Sequence, residues 1–279
     1  MTTLPAPATV GGGAAAAAPP VHFYWSGQEF DFGHFLAVAS AAAHAPGRVV
    51  VIVDEEPAGN RYFELLRSVP RVEIEPLCLE ELMSPAHADL YRRMTFVAHR
   101  SDLVSFCVLA SRGGLYLDTD TLTRRPLGEL PDRLLLEDGK IVQVGVLAFP
   151  PGDPLPAAMV EDFLHLPEKD LAVYQSIVYR WTRLVRASTA PDDFSPHDRF
   201  FPVHWKQWET IFRDDDRPEL RDDIHILHHY GYFSRAYTRQ MDTAWLRSHP
   251  CLFSELALPV VEELENWLGR SLDATAVTP

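Results

Sequence analysis

Cysteine is scarce in this 279-residue chain. Cys78, Cys107 and Cys251 are odd in number, widely separated and in no CxxC pair, which argues against a disulfide framework and a cysteine-ligated zinc site. A reducing cytoplasm is the expected home. Lysine is equally rare, with Lys140, Lys169 and Lys206 the whole complement, and the formal net charge is −14. So acidic a chain repels phosphate backbones and anionic lipid, so neither nucleic acid nor a membrane surface is an expected partner. No stretch approaches the roughly eighteen uninterrupted apolar residues of a membrane-spanning helix. The opening MTTLPAPATVGGGAAAAAPP has no basic residue and no run of large apolar side chains. It reads as a flexible tail over 1–20, neither signal peptide nor anchor. GxSxG, HExxH and GxxxxGK[ST] are all missing, and with them the fingerprints of the common hydrolases and nucleotide-triphosphate folds.

What is present is an ordinary globular balance, 47% hydrophobic and 23% charged, enough for a substantial core. VHFYW (21–25) reads as a strand, 30–44 as a helix and RVVVIVD (48–54) as a buried strand, followed by a helix near 59–68 and a strand at 71–76. That alternation predicts an α/β fold with a mostly parallel sheet flanked by helices. Further on, KIVQVGVLAF (140–149) reads as a strand. Helices are expected near 155–165, 169–188 and 255–268, and short strands at 199–204 and 224–228. No repeat or long linker divides the chain, so a single domain over 21–270 is expected, with a second tail at 271–279.

The most informative stretch is SDLVSFCVLASRGGLYLDTDTLTRRPL, Ser101 to Leu127. Ser101 reads as a helix N-cap with Asp102 at the positive end of the dipole, followed by an apolar helix that Gly113-Gly114 ends. Ten helical residues cover roughly 15 Å and the next strand roughly 13 Å. If the glycines reverse the chain, Asp118 therefore returns to the neighbourhood of Asp102. In an extended segment Asp118 and Asp120 would face the same way and offer two hard oxygen donors to one Mg²⁺ or Mn²⁺. For a protein this acidic and this poor in lysine, such an ion is a natural supplier of the positive charge that holding a diphosphate requires, and arginines could share that work.

A Ser-Asp helix start, an apolar helix, Gly-Gly-x-Tyr-x-Asp-x-Asp and a following Arg-Pro-Leu together closely resemble glycosyltransferase family 32. The glucosyltransferase domains of large bacterial cytotoxins look similar. His22 to Gly27, Gly152-Asp153-Pro154, Phe201-Pro202 and the late histidine-rich stretch extend the likeness more faintly across 21–237. The resemblance implies a GT-A type fold, a nucleotide-sugar donor (UDP-sugar favoured), a divalent metal, an unspecified acceptor and transfer with retention of anomeric configuration. It divides the domain into a nucleotide-sugar-binding half (21–130) and an acceptor-side half (131–270). It also implies that Asp120 and Asp118 reach the metal and donor, that Asp102 bonds sugar hydroxyls, that Trp25 packs on the nucleobase and that Gly114 lies by the donor. In the segment His228-His229-Tyr230-Gly231-Tyr232-Phe233-Ser234, His228 is the preferred further metal ligand, with Ser234 and Arg235 on the donor side.

This chain departs from the family where the helix usually carries an arginine, and has Ser105; Arg100, Arg124 or Arg125 could restore the charge. The residues alone leave Trp25 open between core packing and stacking, and one of His228 and His229 must point inward. Two rival readings remain. LDTDT also fits a haloacid-dehalogenase-like phosphatase, with Lys206 and Asp222-Asp223 as its later motifs. A noncatalytic sugar-nucleotide-binding protein on the same fold is the other.

Overall fold

The computed structural model describes residues 18–272. The tail expected over 1–20 therefore lies mostly outside the described residues, as does most of 271–279.

Short apolar runs become parallel strands. Val21–Trp25 (β1) and the wholly buried Val49–Val53 (β2) pair in register, joined by helix Phe32–His44 (α1), which Asp31 caps through the backbone N–H of His34. Helix Arg61–Leu66 (α2) leads to strand Val72–Pro76 (β3), parallel to β2. Helices Leu79–Leu82 (α3), Pro85–Arg93 (α4) and Val97–Arg112 (α5) then return the chain to strand Gly114–Leu117 (β4), parallel to β1 on its other side. Strand Thr121–Thr123 (β5) leaves this sheet, and Val146–Phe149 (β6) closes its edge antiparallel to β4, giving the order β3-β2-β1-β4-β6. Helices Pro154–Phe163 (α6), Glu168–Leu171 (α7) and Ser176–Ser188 (α8) follow. Strand Ile226–His228 (β7) then pairs antiparallel with β5 as a separate ribbon. Gly231–Thr238 (α9), Thr243–Ser248 (α10) and Leu252–Leu268 (α11) complete the chain.

The alternation of strand side chains splits the core between the two faces of the sheet. Val21, Phe23, Val49, Val51, Leu115 and Leu117 pack with α1 and α11, whereas Tyr24, Val50, Ile52, Tyr116 and Leu147 pack with α4, α5, α6 and α8. No helix of the described residues is long and apolar enough to cross a membrane.

Several expected boundaries move. Ser101 is not an N-cap: α5 already begins at Val97, and Ser101 and Asp102 lie in its second turn. The earlier turn is fixed from a distance, because buried His99 bonds the backbone oxygen of Tyr174 at 3.0 Å. The strand expected at 199–204 is absent. Two 3₁₀ turns, His197–Arg199 and Trp205–Ile211, take its place, and Pro202 between them has no N–H for a ladder. Of 140–149 only Val146–Phe149 is strand.

His22 lies at the joint that sets the direction of β4. Its Nε2 is 3.1 Å from the oxygen of Gly113. Gly113 has a φ of 63°, and a Cβ there would sit 2.5 Å from the nitrogen of Pro151, so only glycine makes this turn. Burial lowers the His22 pKa to about 4, with the Gly113 bond pushing the other way. A histidine depressed below its unfolded value contributes stability at pH 7 that is lost as pH falls from about 6.5 to 4, at most about 3 kcal/mol. Urea titrations at pH 7 and 4.5 are expected to show that loss. His22→Gln should be less stable at pH 7 but flatter across the same interval.

Candidate active site

The chain leaves β4 through a turn at Asp118-Thr119-Asp120, not the extended segment expected from the sequence. The Thr121 hydroxyl donates to the Asp118 oxygen at 2.8 Å and tightens that turn, and both carboxylates reach the same place by this different route. The Asp118 N–H donates to the Gly145 oxygen at 2.8 Å. A Cβ on Gly145 would come within 2.5 Å of Asp118 Oδ2 and 3.4 Å of His228 Nε2, so a carboxylate and an imidazole occupy the space that a side chain would fill. Gly145→Ala is therefore expected to displace Asp118, weakening Mn²⁺ binding at least about tenfold by calorimetry while the far-UV spectrum stays native.

Asp120 is held from three sides. Its backbone oxygen accepts from the His229 N–H at 2.9 Å, and its Oδ2 accepts from the Gly231 N–H at 2.7 Å. Its Oδ1 faces His228 Nε2 at 3.0 Å. The pairing of Thr121 with His228 in the β5–β7 ribbon brings the two together across more than a hundred residues. Tyr230 at φ 56° then turns the chain so that α9 begins with its first N–H aimed at Asp120. Asp118, Asp120 and His228 each offer a ligand atom, all within 4.8 Å of one another.

These residues fit a divalent cation. Oδ1 of Asp120 is buried with His228 Nε2 at 3.0 Å beside it, so a carboxylate oxygen and an imidazole nitrogen, both metal-donor types, stand side by side away from water. Burial opposes ionisation of Asp120, but His228 holds its pKa well below the usual carboxylate range. Burial and then the Asp120 charge push Asp118 up to about 7. Burial opposes protonation of His228, yet both carboxylates raise its pKa. His228 Nδ1 accepts from the Tyr230 N–H at 3.2 Å, which leaves the proton on Nε2, towards Asp120. To hold a cation through Nε2 the ring would have to carry its proton on Nδ1 instead and give up the Tyr230 bond.

The other expected residues separate into two groups. Asp102 lies near enough to Asp118 to feel its charge: burial and then that charge raise its pKa well above normal, but Asp102 is outside the Asp118–Asp120–His228 cluster and does not line the cleft. Trp25 lines the cleft and also packs edge-on to Phe30 at 5.0 Å, with Nε1 donating to the Gly27 oxygen at 2.7 Å; it is both wall and core. Arg235 lines the cleft and is ion-paired with Glu29 at 2.8 Å, where Arg239 also pairs at 2.6 Å. His228 is the histidine that reaches the site, because His229 turns into the core and its Nδ1 lies 3.2 Å from Ser234 Oγ. Ser234 is fully buried there and does not line the cleft. Gly114 is also corrected: it begins β4, roughly 13 Å of strand from Asp118, and what requires glycine there is the close approach of the Pro20 oxygen.

No arginine replaces the missing one on α5. Ser105 is buried and bonds the Asp102 oxygen of its own helix at 2.8 Å. Arg100 turns towards Asp54 at 3.8 Å, and Arg124 bonds the Arg221 oxygen. The phosphatase reading loses its other motifs, since Lys206 lies over the Trp205 ring and Asp223 pairs with Arg221 and Arg199. Glu29, Asp31, His34, Gly145, Tyr174 and Arg239 escaped the sequence reading. Only Gly145 left a signal, inside an apolar run.

The cluster opens into a cleft of about 400 Å³. Tyr24, Trp25 and Ser26 from the end of β1 form part of its wall, Ala98 and Ser101 from α5 another, and Tyr232, Arg235 and Arg239 from α9 a third.

Known proteins match both the motif and the fold. Residues 34–138 match the family described as the glycosyltransferase sugar-binding region containing DXD motif, a span that holds Asp102, Asp118 and Asp120 but ends before His228. The chain is 27% identical over 219 residues to the lactosylceramide 4-alpha-galactosyltransferase of Rattus norvegicus, covering 68% of this chain and 59% of that protein. It is 22% identical over 218 residues to the alpha-1,4-N-acetylglucosaminyltransferase of Homo sapiens, covering 67% and 62%. It thus spans about three fifths of the length of these curated relatives. Among solved structures, PaToxG glycosyltransferase superposes with a TM-score of 0.51 at 15% identity, over 61% of this chain and 69% of the other. The fold is the GT-A type expected from the sequence.

Proposed function

We propose that this chain is a metal-dependent glycosyltransferase that moves a hexose from a nucleotide-diphosphate sugar, a UDP-sugar for preference, to a hydroxyl-bearing acceptor with retention of configuration. The convergence of Asp118, Asp120 and His228 on one cation position, with both carboxylates lining the cleft, carries this reading. Two carboxylates alone would suit Mg²⁺; adding an imidazole nitrogen favours Mn²⁺. When bound, the cation supplies Lewis-acid neutralisation of the diphosphate leaving group.

The protein's own groups do the rest. Trp25 offers a ring face at the β1 end of the cleft, and Asp102 presents a carboxyl group towards sugar hydroxyls. Arg235 and Arg239 sit at the rim, both held by exposed Glu29. Exposed ion pairs of this kind contribute little to stability, so an arriving diphosphate takes these arginines over at small cost, and they replace the charge that Ser105 cannot supply. The division into a donor half (21–130) and an acceptor half (131–270) is part of the same proposal, with the cation position drawing ligands from both. So is a cytoplasmic location, where the exposed thiol of Cys78 stays reduced.

Calorimetric titration with a panel of nucleotide sugars, with and without Mn²⁺, tests the reading. One donor is expected to bind only when the metal is present. Hydrolysis of simple phosphate esters with no nucleotide-sugar binding would reverse the conclusion in favour of a phosphatase.

A further inference from the structure

From the cleft mouth a row of aromatic rings runs out over the surface. Tyr174 and Tyr232 line the cleft with their ring centroids 6.1 Å apart. Tyr232 meets Phe233 edge-on at 5.3 Å, and Phe233 stacks on Trp205 at 5.9 Å with planes only 21° apart. These four rings are 49%, 80%, 43% and 45% exposed. A contiguous exposed patch of this kind is uncommon on a soluble surface and marks a binding face.

The row is tied to the reaction centre through the backbone. Tyr232 follows Gly231, whose N–H is bonded to Asp120, so the most exposed ring stands one residue from a group that grips the DxD carboxylate.

The structure assigns this row, we propose, as the docking platform for a saccharide acceptor; the assignment rests on the transferase reading and names its acceptor class. A pyranose has an apolar C–H face and a rim of hydroxyls, and a tyrosine or tryptophan ring offers the matching flat apolar face with a polar tip. Lys206, 5.5 Å over Trp205, adds a donor at the rim. A lipid surface fits less well, because the row itself contains no aliphatic side chain, and the net charge of −14 disfavours anionic membranes.

Saturation-transfer NMR without donor or metal tests the assignment, using methyl β-lactoside and methyl β-cellobioside as probes. At least one is expected to bind the wild type, and Tyr232→Ala and Trp205→Ala should each weaken that binding at least fivefold with unchanged far-UV spectra. Binding of neither disaccharide, or equal binding by both variants, overturns the assignment. So does co-sedimentation of the wild type, but not Tyr232→Ala, with phosphatidylcholine vesicles. Titration of the same samples with a UDP-sugar and Mn²⁺ separates the two readings. Disaccharide binding through Tyr232 without donor binding sinks the transferase reading and leaves the platform; donor binding without disaccharide binding does the reverse. Trp205→Ala, outside the cleft, is expected to bind donor like the wild type.

Discussion

Asp120→Asn is expected to lower the proposed sugar transfer about a thousandfold or more while leaving the fold intact. The amide has nearly the shape of the carboxylate, and its oxygen can still accept from the Gly231 N–H, the bond that places the start of α9. What it removes is the negative charge facing His228 and, with it, a strong ligand for the cation. Neutralisation of a leaving diphosphate by a bound cation lowers the barrier by several kcal/mol, and each factor of ten in rate corresponds to about 1.4 kcal/mol. Losing about 4 kcal/mol of that stabilisation gives the thousandfold. Initial rates with the donor found by calorimetry, taken over a Mn²⁺ series, provide the check. Saturating metal should not restore the rate. A variant within tenfold of the wild type at ordinary Mn²⁺ would mean that Asp120 holds no essential ion.

The two aspartates were legible because the signal is local: an apolar strand behind a Gly-Gly stop, then Asp-x-Asp. Their approach to Asp102 was legible too, since helix rise and strand rise nearly cancel across the turn. The third candidate ligand was only half visible. Alternation after a short strand says that one of His228 and His229 points inward, but choosing between them requires the β5–β7 register, and that pairing joins segments more than a hundred residues apart. Ser234 and Gly114 were misplaced for a related reason. Both sit in segments with the right motif spacing, yet one is consumed by His229 and the other by Pro20, neighbours that only tertiary packing supplies. The start of α5 failed in the same way, set by a backbone contact at Tyr174 and not by the best local cap.

Asp118→Asn is expected to make the metal-free protein more stable while abolishing its response to Mn²⁺. Asp118 and Asp120 share one buried place, but His228 compensates chiefly Asp120. Burial and the Asp120 charge therefore raise Asp118 to about 7, roughly three units above an ordinary aspartate. A carboxyl group raised in this way favours the fold only while protonated. Its contribution is complete below about pH 4 and is lost as pH climbs through about 7. At pH 8 the wild type bears the full cost of an ionised Asp118, about 4 kcal/mol as an upper bound and closer to 1–2 kcal/mol after discounting for water in the cleft. Replacing the carboxylate with a neutral amide removes that cost. In EDTA, urea unfolding at pH 8 should show the variant more stable by that amount, with the advantage shrinking towards pH 5. In Mn²⁺ the order should invert, because the wild type gains the binding free energy of the ion in its folded state and the variant does not. Equal stabilities at pH 8 in EDTA would show that Asp118 carries no such cost. A site that destabilises its own empty form in this way stores the free energy that later holds the cation, a cost to the fold that function explains.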